Sequence, residues 1–230
     1  MTWMIFDWLG TVAFAVSGAM VGISRRMDIF GIVVLAVLTA VGGGMVRDVL
    51  VGVTPPSALV HPADLLLSVT TACLVAAAYA VLPFNVARKR QVNFLYNVSD
   101  TIGLAAFTVT GVLVGMRQPG AQYVLPMMLG CITAVGGGML RDLMAQKVPV
   151  VLRMDVYAVA SLAGAFLMCA AWPLGQATAS WLGFIVVLLL RSCALRFGWQ
   201  LYHPHPRRSV FRKRRIMHLR KDDNQTEKMR

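Results

Sequence analysis

Charge is scarce in this chain. Asp, Glu, Lys and Arg make up 14% of its 230 residues, and Asp plus Glu number only 10. A soluble domain is about 25% charged. With 57% hydrophobic residues and a mean hydropathy of +0.66, a single globular core cannot hide the apolar surface. An ordinary soluble domain is excluded, and a chain that crosses a membrane repeatedly is indicated. Cysteine is sparse too. Cys73, Cys131, Cys169 and Cys193 all fall in apolar stretches and none makes a CxxC pair. They read as small buried hydrophobes, not as a disulfide framework or a metal site. His61, His203, His205 and His218 are scattered. The short loops offer no nucleophile–base set, metal-ligand cluster or P-loop, so neither catalytic residues nor a metal or cofactor is expected, and the chain does not read as an enzyme. The N-terminus lacks the basic segment and cleavage site of a secretory leader.

What is abundant is long apolar sequence. Seven stretches, about 4–23, 29–51, 64–82, 99–116, 123–145, 155–173 and 181–198, each approach the roughly 20 residues a membrane-crossing helix needs. The expected fold is an all-α polytopic membrane protein with seven transmembrane helices. Basic residues alternate by side. Arg25 and Arg26 follow the first stretch, Arg88, Lys89 and Arg90 the third, and Lys147 and Arg153 the fifth; Arg117 is the exception. Ten of the 22 Lys and Arg lie beyond Trp199. Positive residues stay cytoplasmic, which puts the N-terminus outside and the C-terminus inside a cell (inner) membrane. The net charge of +12 is therefore mainly a topology signal. No folded recognition module accompanies the tail, so nucleic acid is not an expected partner. The tail's run from Arg207 to Lys221 is expected to lie on an anionic lipid leaflet.

The chain repeats itself. Asp7–Gly22 reads DWLGTVAFAVSGAMVG and Asp100–Gly115 reads DTIGLAAFTVTGVLVG; both fit D-x2-G-x2-A-F-x-V-x-G-x2-V-G. TAVGGGMVRD from Thr39 matches TAVGGGMLRD from Thr133, and Asp64 corresponds to Asp155. Each copy has three spans, an odd number, so the second must be inverted in the membrane. The expected organisation is a three-helix repeat over 1–90, its inverted copy over 91–175, a seventh helix over 176–200 and a basic cytoplasmic tail over 201–230. Inverted repeats place a solute path at their interface, near the midplane, in discontinuous helices.

The glycine runs point to that path. Gly42, Gly43 and Gly44, and Gly136, Gly137 and Gly138, lie near the centres of spans two and five. Glycine costs a helix about 1 kcal/mol relative to alanine, so a break is expected at each run, with freed carbonyls facing a wet cavity. The alternative is that these small residues only let helices pack closely. The G-x3-G pairs Gly18/Gly22 and Gly111/Gly115 read as such contacts. Arg47 and Arg141 follow the glycines and either line a gate or form structural ion pairs. Adjacent helical residues do not face each other. Arg47 is therefore expected not to pair with Asp48. Asp7 and Asp64 are the expected partners on the outer side, Asp100 and Asp155 on the inner.

The doubled AVGGGM[VL]RD, the D-x2-G-x2-A-F openings and the three-plus-three-plus-one layout resemble bacterial members of the TRIC (trimeric intracellular cation) channel family, also described as a glycine-transporter domain. The resemblance spans about residues 3–200. It implies a homotrimer with one pore per subunit, each running between spans two and five and passing monovalent cations, mainly potassium. By motif it assigns that path to Gly42–Gly44, Arg47, Gly136–Gly138 and Arg141. GGGMVRD departs from the Lys-containing, lipid-binding motif of animal members, so phosphoinositide control is not expected. The competing expectation is a carrier of glycine or another small zwitterion, with an arginine holding the carboxylate. Against it stands the lack of any intramembrane Glu or His relay.

Overall fold

A computed structural model of the chain describes residues 2–60, 62–81, 86–120, 122–153 and 156–199. Seven long helices carry it: α1 (Thr2–Ser24), α2 (Ile29–Leu50), α4 (Ala63–Val81), α5 (Val86–Met116), α6 (Val124–Met144), α7 (Val156–Ala170) and α8 (Gln176–Phe197). A four-residue helix, α3 (Ser57–Val60), and short 3-10 turns at Val150–Leu152 and Trp172–Leu174 complete the described residues, which contain no strand. Six of the long helices are long and apolar enough to cross a membrane. This is a multi-pass membrane protein. The seventh, α7, has 15 residues, about 22 Å of rise, and the 3-10 turn after it extends the crossing.

Local signals explain several ends. Asp28 caps α2 by accepting from the Gly31 N–H at 2.7 Å. α8 stops where Gly198 turns left-handed at φ 63°. α5 differs most from expectation. It begins at Val86, thirteen residues before the expected span, because VARKRQVNFLYNV contains no helix breaker after Pro83.

Packing follows the sequence repeat. α1 packs on α2 and α5, and α6 on α5 and α2, so the four helices of the two motif pairs form the centre. α4 sits against α1 and α2; α7 sits against α6 and α5. α8 packs on α7 and α5, and its Trp181 and Phe184 hold the ring of Phe6 at centroid distances of 4.9 and 5.3 Å. Without water to expel, membrane helices associate by close fit, and small residues supply it here. A β-carbon on Gly18 would strike Ala36 and Thr39 of α2; one on Gly111 would strike Gly130 and Thr133 of α6. Gly22 and Gly115 meet Ile32 and Pro126 in the same way. Phe14 and Phe107 meet at the centre, centroids 5.1 Å apart and rings inclined by 64°. Gly10 leaves the recess that Phe107 fills, and Gly103 the recess that Phe14 fills.

Candidate functional site

Both glycine runs lie in unbroken helix. α2 continues through Gly42–Gly44 and α6 through Gly136–Gly138, so the expected breaks do not occur. Unpaired backbone groups in hydrocarbon cost several kcal/mol each, more than the roughly 1 kcal/mol per glycine that weakens the helix. The glycines are used for close approach instead. A β-carbon on Gly43 would collide with the Thr133 carbonyl, and one on Gly137 with the Thr39 carbonyl. α2 and α6 thus cross backbone to backbone at their middle glycines. Gly42 makes room for Leu140, and Gly136 lies over the Gly43 α-carbon. The third glycine has another use. A β-carbon on Gly44 would be 3.6 Å from Arg47 Nη2, and one on Gly138 would be 3.6 Å from Arg141 Nη2. Each guanidinium folds back over the glycine one turn before it.

That fold-back corrects a second expectation. Arg47 does pair with its neighbour: Nε and Nη2 donate to Asp48 Oδ1 at 2.9 and 2.7 Å. Arg141 Nε donates to Asp142 Oδ1 at 2.9 Å. The rule that adjacent helical residues diverge holds at the β-carbons; a long arginine stem curling back along its own helix evades it. The second oxygen of each aspartate is used as well. Asp48 Oδ2 accepts from the Ser57 N–H at 2.9 Å, and from the Ser57 hydroxyl, at the start of α3. Asp142 Oδ2 accepts from the Val150 N–H at 2.9 Å, at the start of the 3-10 turn. Each aspartate ties an arginine to the short helical segment at its end of the bundle.

The two ends differ in what else they hold. Arg141 is fully buried. Its Nη1 donates to Asp100 Oδ1 at 2.5 Å and to the Ser17 hydroxyl, and its Nη2 donates to the Tyr96 hydroxyl at 2.9 Å. The guanidinium also lies 4.9 Å from the Tyr96 ring centroid. Arg47 faces a cavity of about 300 Å³ whose walls include Asp7, Asp64, Trp3 and Thr11. A second cavity, about 430 Å³, lies at the other end of α1, walled by Ser24, Asn93, Tyr96, Asp142, Lys147 and Arg153. Burial and the nearby Arg25 guanidinium push Lys147, in the loop after α6, below the usual lysine range. Of the expected carboxylates, Asp100 touches its arginine, and Asp7 and Asp64 share the Arg47 cavity. Asp155 lies outside the described residues, as does the basic tail.

A family model described as glycine transporter matches residues 4–83 and 97–173. The UPF0126 membrane protein YvgT of Bacillus subtilis is 35% identical over 205 residues, covering 87% of this chain and 96% of its own. The UPF0126 inner membrane protein YadS of Escherichia coli K12 is 35% identical over 207 residues, with the same coverage. The solved TRIC trimeric intracellular cation channel orthologue from Rhodobacter sphaeroides superposes with a TM-score of 0.77 at 34% identity, over 86% of this chain and 98% of that one. The chain belongs to the bacterial TRIC family.

In this TRIC member, several residues at the Arg141 end escape a linear reading. Ser17 and Tyr96 contact Arg141 from 124 and 45 residues away. A faint signal existed for both. Ser17 stands where the second motif has Thr110, and Tyr96 is one helical turn before Asp100. Ser57 follows Pro-Pro and reads only as a turn. Tyr157 and Arg191, from α7 and α8, lie behind the same network, with the Arg191 guanidinium 4.8 Å from the Tyr157 ring centroid.

Proposed function

We propose that this chain is a monovalent cation channel, passing mainly potassium, with one path per subunit between α2 and α6 of a homotrimer. The observation that carries the reading is the pair of cavities at opposite ends of α1, one lined by Arg47 and Asp48 and the other by Asp142, with α2 and α6, which carry these residues, crossing at Gly43 and Gly137. Gly42–Gly44, Arg47, Gly136–Gly138 and Arg141 line the path, and Asp7, Asp48, Asp64, Asp100, Asp142 and Asp155 balance its charge. The likeness to a TRIC cation channel supports the same assignment. The arginines are the closed positions of two half-gates. Two inverted three-helix units over 1–90 and 91–175, with α8 outside them, build the path. The alternating basic residues put the N-terminus outside and the C-terminus in the cytoplasm.

Reconstituted protein in planar bilayers should give discrete potassium currents. A reporter after Arg230 should read cytoplasm, and one near Thr54 the opposite side. Absence of current together with uptake of radiolabelled glycine would instead establish a carrier, the reading favoured by the description of the matching family model. In that case Arg47 or Arg141 would hold the carboxylate.

A further inference from the structure

We infer that Arg191, on the helix outside the repeat, is a third arginine of the conduction path and makes its cation current rectify. The inference rests on the channel reading above. Arg191 is 3% exposed, deep in the bundle, with its guanidinium 4.8 Å from the Tyr157 ring centroid. A cation over an aromatic face is held by the ring's quadrupole, most strongly where water is excluded. Tyr157 is itself buried, and its hydroxyl has no hydrogen-bond partner among the described residues. That hydroxyl points at the space above Gly138. A β-carbon there would lie 3.1 Å from it, 3.6 Å from Arg141 Nη2 and 4.0 Å from Asp100 Oδ1. Arg191 therefore stands one tyrosine ring behind the Arg141–Asp100 pair.

Among the described residues, the other end has no such residue. The cavity facing Arg47 is walled by the carboxylates of Asp7, Asp48 and Asp64, with Arg47 its one basic residue among those described. The Arg141 end sets Asp100 and Asp142 against Arg141 and Arg191, and Lys147 and Arg153 line its cavity; even with Asp155, which lies outside the described residues, counted at this end, three acidic residues stand against four basic ones. The repeat makes the two half-gates alike; α8 makes them unequal. A cation arriving from the Arg47 end meets net negative charge, and one from the Arg141 end meets net positive charge. A fixed charge in a narrow, low-dielectric path changes the local ion concentration steeply. Conduction should thus favour cations that enter from the Arg47 end.

The test is the current–voltage curve of the full chain in planar bilayers with equal potassium chloride on both sides. Arg191→Gln should reduce the asymmetry by raising current from the Arg141 end about three- to tenfold, whereas Arg191→Lys keeps it. Unchanged rectification in a well-assembled Arg191→Gln variant overturns the inference and leaves a purely structural arginine. If that variant does not assemble, Arg191→His decides. Its rectification relative to that of the parent protein at the same pH must grow from pH 8.5 to pH 5.5, and a constant ratio overturns the inference. A parent protein that carries no cation current refutes the channel reading itself, and the inference with it. Symmetric parent current refutes only the inference.

Discussion

Gly43 and Gly137 face each other across the crossing of α2 and α6, each against the backbone of the other's helix. Neither has room for a methyl group. Gly44, one residue on, has only the movable Arg47 guanidinium nearby.

The three glycines of a run should therefore respond differently to alanine. Gly43→Ala and Gly137→Ala should each destabilise by about 1–3 kcal/mol or more through backbone overlap. Gly44→Ala should be neutral or gain up to about 1 kcal/mol from helix preference. Thermal unfolding in detergent separates them. Equal shifts at Gly43 and Gly44 would contradict the crossing geometry.

Arg47→Gln and Arg141→Gln should part company. Each removes a charge that repels a permeant cation by roughly 4 kcal/mol at 4 Å and an effective dielectric of 20. Arg47 has one carboxylate in direct contact, so its variant should assemble and conduct more. Arg141 neutralises both Asp100 and Asp142, and stranding buried charges costs about 3–5 kcal/mol. Arg141→Gln should assemble poorly, and adding Asp100→Asn should partly restore it. Size-exclusion yield and single-channel conductance report the two effects.

The Asp48 link between Arg47 and α3 predicts a graded series. Asp48→Asn keeps one acceptor oxygen and loses the charge; Asp48→Ala loses both. Stability should fall in that order, by about 1–3 kcal/mol for each buried donor left unpaired. A cysteine at Ala58, on α3, should become more reactive toward a thiol reagent in the same order. Unaltered reactivity would mean that α3 is held by something else.

Lys147 gives a pH dependence whose sign is fixed. Its affinity for a proton is lower in the folded protein than in the unfolded chain, whose lysines titrate near 10.5. Below the folded value both states carry the proton, and the folded state is penalised in full. As pH rises toward 10.5 the unfolded chain binds more protons, so this residue makes stability rise with pH. Lys147→Gln should raise stability at neutral pH and flatten that alkaline rise. A steeper rise in the variant would reverse the assignment.

The spans and the repeat were legible because both leave a linear signature: apolar length, and glycines and charges kept in register. The partnership of Arg141 with Asp100 was legible for the same reason, since each opens or closes a motif at matching depth. The course of α2 and α6 through their glycines was not. Helix preference is a small local term, and the cost of open backbone in lipid overrides it. Arg47's grip on Asp48 depends on a side chain bending over Gly44, which spacing between β-carbons does not register. Arg191 lies within the last apolar stretch and belongs to no motif in the linear sequence. Only the packing of α8 against α7 brings it to Tyr157.

The central rings interlock crosswise: Phe107 fills the recess at Gly10, and Phe14 the recess at Gly103. Each half of the chain is thus the mould for the other's casting. A chimera that takes residues 1–90 from one relative and the remainder from another imports a ring cut for a different hollow. Such hybrids should fail more often than point variants of equal divergence, and should recover when positions 10, 14, 103 and 107 are exchanged as a set. An ancestor assembled from two identical copies would have met this fit automatically, and its descendants could change it only in step.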